Sequence, residues 1–224
     1  LMPWISSANL ACGAHAGDEA TMREVAKLAL HHGVAIGAHP GFADREHFGR
    51  RELTLSPDEI EALVVTQVRA LQAIAPVRHV KPHGALYNRA ARNPATARAI
   101  ATAVRQCGTD LVLVGLAGSA LPAAGEGAGL RVAHEAFADR RYEADGTLTP
   151  RSHPDALIAN PAEALRQVLT LVREHRLRTR SGDWLSLKAD TVCLHGDGPG
   201  ATELARHLRT GLADAGVRVA SLRP

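Results

Sequence analysis

Short apolar runs alternate along this chain with loops crowded by ionisable groups and then with amphipathic segments, and the cycle repeats about six times. Ser6–Cys12, Val34–Gly37, Val77–Val80, Leu111–Val114, Leu130–Ala133 and Thr191–Leu194 read as strands, and a seventh short run, Val217–Ala220, ends the series. The segments between them carry helix punctuation. Asp18 caps a helix that starts at Glu19 and stops near Gly33. Ser56, Pro57 and Glu59 form a capping box ahead of Ile60, Leu63, Val64, Val68, Leu71 and Ile74, which fall on one face. Asn93-Pro94 opens a helix through Cys107, Asn160-Pro161 opens one to about His175, and a last helix covers Ala201 to Ala215. Strands separated by helices must run parallel, with helical crossovers. The expected fold is α/β: a single closed or nearly closed parallel β/α barrel over residues 1–224. A doubly wound open sheet is the alternative. Against it, no G-x-G-x-x-G follows the first strand and no G-x-x-x-x-G-K-[ST] phosphate loop is present.

Size and composition are compatible with one such domain. The chain has 224 residues, 46% of them hydrophobic and 22% charged, enough for a core and too apolar for a disordered chain. No apolar run approaches the roughly 18 residues that a membrane-spanning helix needs. No basic segment precedes an apolar one at the start. Three dispersed cysteines, Cys12, Cys107 and Cys193, suggest free thiols and a cytoplasmic setting. A net charge of +3 without a Lys/Arg block gives no reason to expect a nucleic-acid partner.

The strand exits hold the chemistry. In order they carry Cys-Gly-Ala-His15-Ala-Gly-Asp18, then Gly-Ala-His39-Pro-Gly, then Lys81-Pro-His83-Gly. His134-Glu135 to Asp139-Arg140 and His195-Gly-Asp197 follow. In a parallel barrel all exits lie around one mouth. A lone exit histidine is ordinarily a satisfied structural residue; four at the same structural position point to an active site. Imidazoles with carboxylates suit general acid–base catalysis near neutral pH. They also suit a metal ion, though no H-E-x-x-H is present and spacing alone leaves the metal content open. A lysine at such a mouth suits an anion or a developing oxyanion.

The stretches S-A-N-L-A-C-G-A-H-A-G-D, V-A-I-G-A-H-P-G, H-V-K-P-H-G-A-L-Y-N, L-V-G-L-A-G-S, F-A-D-R-R-Y and H-G-D-G-P-G closely resemble the LamB/YcsF family, in order, from about Ser6 to the end. The resemblance implies a barrel similar to the glycoside hydrolase and polysaccharide deacetylase group. That barrel is expected to be distorted, TIM-like and seven-stranded. The resemblance also implies ATP-dependent opening of 5-oxo-L-proline to L-glutamate, with ATP as cosubstrate, room for a divalent cation (Mg2+ with the ATP), and two partner subunits, B and C. Residues matching the motifs are then expected at the site: Lys81, His83, Asp139, His195 and Asp197 as catalytic groups, with Asn9, His15, Asp18, His39, Glu135 and Arg140 around the substrate. Lys81, helped by Arg140, would neutralise phosphate or the substrate carboxylate. His83 or His195 would act as base, oriented by Asp139 or Asp197. Two departures stand out. Ala14 replaces the usual Phe, and the family's opening strand, of the type D-L-N-x-D-x-G-E, is not found, since the chain starts at Leu1-Met2-Pro3. The barrel is therefore expected to lack its first strand.

Two readings of other classes also fit the residues. One is a metal-dependent hydrolase or deacetylase on the same barrel. The other is a non-catalytic subunit that binds a small acid.

Overall fold

The computed structural model describes residues 1–222. It divides into two compact units, one built on Ser6–Ala133 and the other on His134–Ala220.

In the larger unit, β1 (Ser7–Ala11), β2 (Ala35–His39), β3 (Val77–Val80) and β4 (Val112–Leu116) pair in parallel in that order. Helices α1 (Glu19–His31), α2 (Pro57–Gln72), α3 (Gly84–Arg92), α4 (Pro94–Cys107) and α5 (Ala120–Gly127) connect or flank them. Every residue of β4 is buried, as expected of an interior parallel strand. Ile60, Val64, Val68 and Leu71 of α2 are fully buried, and α2 packs on α4, which packs on α5. The sequence-level caps are all present. Asp18 accepts from the Thr21 N–H, Ser56 and Glu59 close their box, and Asn93 accepts from the Thr96 N–H. β1 has β2 as its one sheet partner among the described residues.

β5 (Arg131–Phe137) carries the chain into the smaller unit, where it pairs in parallel with β8 (Thr191–Cys193). Between them lie α6 (Pro161–Glu174) and an antiparallel hairpin of β6 (Arg176–Arg178) and β7 (Trp184–Ser186); α7 (Ala201–Asp214) follows β8. Ala138, Ile158, Ala164, Val168 and Leu208 form the core of this unit, with Leu165, Val192 and Leu212 against it.

Two expectations are corrected. The fifth strand does not end at Ala133 but continues to Phe137. His134 and Glu135 therefore lie inside a strand, the latter almost fully buried, where their polarity had suggested an exit loop. Residues 217–222 form no strand. The apolar run there has no ladder partner, and Leu222 packs on Val112, Val114 and Ala133. The main sheet has six strands among the described residues.

Candidate functional site

In the larger unit, register determines which side chains meet. Asn9, Gly37 and His79 are aligned across β1, β2 and β3, so they share one face of the sheet. Gly37 has no side chain, and the His79 ring crosses that gap to place Nε2 2.9 Å from Oδ1 of Asn9. A carbonyl-type oxygen only accepts, so His79 carries its proton on Nε2 and fixes the rotation of the Asn9 amide. Nδ1 of His79 is buried without a partner. Burial, with Lys81 assisting, pulls the His79 pKa down to about 4.

One layer further along are His39, the last residue of β2, and Lys81, just past β3. His39 Nδ1 lies 2.6 Å from the Lys81 carbonyl oxygen, and its Nε2 lies 3.0 Å from Nδ1 of His83. His83 Nε2 lies 2.8 Å from the carbonyl oxygen of Phe48. His15 lies flat on His83 with ring centroids 4.0 Å apart, and the Phe48 ring stands perpendicular to both, 5.6 and 5.3 Å away. His15 is 2% exposed and its Nδ1 has no partner. Burial, then the charges of His83, Arg45 and Arg50, lower its pKa to about 3. Desolvation, then Lys81 and His83, push His39 well below its ordinary value against the pull of the Lys81 carbonyl. Lys81 is itself buried, with Nζ 5.6 Å from the centre of the Tyr87 ring.

Three histidines this close suggest a metal centre by count. The geometry is of another kind, since two rings face each other nitrogen to nitrogen and the third is stacked. Among the described residues no group of three or more His, Cys, Asp or Glu side chains is disposed to hold a metal ion.

The loop after β2 is built around this cluster. Gln67 on α2 clamps Gly41, accepting from its N–H at 3.0 Å and donating to its carbonyl at 2.8 Å. Arg45 donates to the carbonyls of Gly13 and Gly17. Phe48 has φ 54°, a left-handed conformation uncommon outside glycine. Gly49 follows at φ 64°, where a Cβ would lie 2.8 Å from that of His15. Phe48, Gln67, Arg45 and His79 were not among the sequence-level candidates. His79 opens the quoted H-V-K-P-H-G-A-L-Y-N stretch, where it had no role assigned.

In the smaller unit, the Asp139 carboxylate accepts from His195 Nδ1 at 2.8 Å and from the His195 backbone N–H at 3.0 Å. Burial opposes the ionised form of Asp139, but the His195 side-chain and backbone donors outweigh it and hold the carboxyl below its usual range. The arrangement fixes the Nδ1–H tautomer of His195 and leaves the lone pair on Nε2. Phe137 stacks on the His195 ring at 5.6 Å.

The remaining candidates are placed differently. The Arg140 guanidinium is buried and donates to the carbonyls of Thr149 and Ala156. Burial, then Arg151, lowers its pKa to about 10. Asp18 is the exposed N-cap of α1. Asp197 is exposed in the glycine-rich turn before α7, and Glu135 is buried within β5. No helix among the described residues is long and apolar enough to cross a membrane.

A family model described as the LamB/YcsF family matches residues 1–224. The chain belongs to the LamB/YcsF family. Among curated members of it, the A subunit of 5-oxoprolinase from Brevibacillus brevis is 51% identical, covering 99% of this chain and 89% of that one. The corresponding A subunit from Chloroflexus aurantiacus is 54% identical over 98% of this chain and 88% of its own. The crystal structure of the lactam utilization protein from Thermus thermophilus superposes with a TM-score of 0.93 at 47% identity, covering 99% of this chain and 90% of that one.

Proposed function

We propose that this LamB/YcsF chain is a subunit of an ATP-dependent 5-oxoprolinase. It would open the lactam of 5-oxo-L-proline to L-glutamate together with partner subunits B and C. Identity of about half over nearly the whole length to proteins named as the A subunit of 5-oxoprolinase carries the reading. A lactam amide is resonance-stabilised and resists water, which is the physical reason for coupling its hydrolysis to ATP.

We place nucleotide handling in the assembled complex, because Arg140 is engaged by two backbone carbonyls and the sequence has no G-x-x-x-x-G-K-[ST] phosphate loop. The chain's own groups serve the substrate. His195, with Nδ1 held by Asp139, is the base that takes a proton from water through Nε2. In the larger unit taken by itself, Lys81 is the group suited to an anion and Asn9, oriented by His79, the group suited to an amide.

The test is an assay of glutamate and ADP from 5-oxoproline and ATP, with and without subunits B and C. Negligible turnover alone and ATP-coupled turnover in the mixture is the expected result. Failure in every mixture, or ATP-independent turnover abolished by a chelator, would reject it.

A further inference from the structure

The contacts of His83 count protons. From the Lys81 carbonyl to the Phe48 carbonyl runs a chain of three contacts through two imidazoles, at 2.6, 3.0 and 2.8 Å. Both ends are carbonyl oxygens, which only accept. Filling all three contacts takes three N–H groups, whereas two neutral imidazoles bring two. A neutral pair would leave lone pairs facing each other across one contact, in a site largely closed to water.

We propose that His83 is held as an imidazolium, donating from Nδ1 to neutral His39 and from Nε2 to the Phe48 carbonyl. His83 is the better place for the charge than His39 because His39 sits directly on the Lys81 backbone and meets the lysine charge. His39 then keeps its single proton on Nδ1 for the Lys81 carbonyl and presents the Nε2 lone pair to His83. Among the groups around the pair, Lys81 after β3 and Arg45 and Arg50 in the loop after β2 disfavour added positive charge, which the acceptors outweigh, while His15 after β1 is neutral. His15 fits this assignment, since its pKa of about 3 keeps it neutral beside a charged His83, and its flat stacking at 4.0 Å lays a neutral ring on a cationic one. Phe48 fits as well. Its left-handed φ of 54° belongs to the residue whose carbonyl meets Nε2 of His83.

The consequence is a change of role. A doubly protonated imidazole accepts no proton, so His83 is not the base expected from the motif. It is a fixed cation at the exit of β3, its two N–H groups taken up by His39 and the Phe48 carbonyl, and it acts on a carboxylate or on oxygen that gains negative charge through its field alone. His39 is a positioning residue that keeps it so. This wiring stands or falls apart from the 5-oxoprolinase reading.

The experiment is nitrogen NMR of the histidine-labelled folded chain, followed between about pH 6 and pH 8. The expected spectrum has both His83 nitrogens protonated across that range and His39 as the neutral Nδ1–H tautomer. His39→Leu, which removes the acceptor, should return His83 to a neutral form within the range. His39→Gln, whose side-chain oxygen can replace Nε2 as acceptor, should retain the imidazolium. A neutral His83 in the unmodified chain at neutral pH, or a doubly protonated His39, overturns the proposal, and that spectrum decides even where a variant fails to fold.

Discussion

A methyl group at Gly37 would stand 2.0 Å from Nε2 of His79. The ring would have to leave, taking the Asn9 contact with it. Gly37→Ala should therefore destabilise the chain by about 1–3 kcal/mol, the usual range for an overpacked core, read as a lower midpoint in denaturant melts. The same ring sets a pH dependence. His79 is lowered from 6.5 to about 4 in the fold, so between those values the unfolded chain binds more protons. Its share of stability is complete above the unfolded value and declines as pH falls toward the folded one, by an amount on the order of 3 kcal/mol. His79→Gln should flatten that part of the acid limb in melts taken across the window. At this scale the sequence was half legible. Histidines at strand exits were visible as a class, and His15, His39 and His83 do meet. Their roles were hidden because the groups that decide them, the Lys81 and Phe48 carbonyls, are backbone and leave no mark in residue type.

Helix α2 shows what an element contributes beyond burial. Its capping box and Pro57 start it at a fixed place, its apolar stripe fixes its rotation, and the two together aim Gln67 at Gly41. Gln67→Met keeps the volume and leaves both polar groups of Gly41 without their partner. The expected cost is about 1–3 kcal/mol per orphaned group, with faster amide exchange confined to the loop after β2. Caps were the most legible features of the chain because capping is local chemistry of a few adjacent residues. Strand ends were less so. β5 runs on through His134 and Glu135 because pairing with β8 decides it, and pairing is not local. Residues 217–222 show the converse, a strand-like run with no partner to pair with.

For the molecule as a whole, the two constellations give separable expectations. Asp139→Asn keeps the shape of the Asp139–His195 pair but lets an amide donor face Nδ1, favouring the wrong tautomer. In the reconstituted enzyme it should lower kcat by about a hundredfold or more, while the thermal midpoint at neutral pH moves little. An equal fall in both would assign the pair to stability alone. Family-wide similarity was legible from the six ordered motifs, and near-half identity over almost the whole length agrees with it. The lack of a strand at residues 217–220 was not, because short apolar runs look alike whether or not a neighbour takes them up.

Asn9 on β1 is held by a ring that reaches it from β3, over the bare backbone of Gly37 on β2. Three neighbouring strands are thereby stitched by a side chain as well as by their ladders, and parting β1 from β2 has to break both.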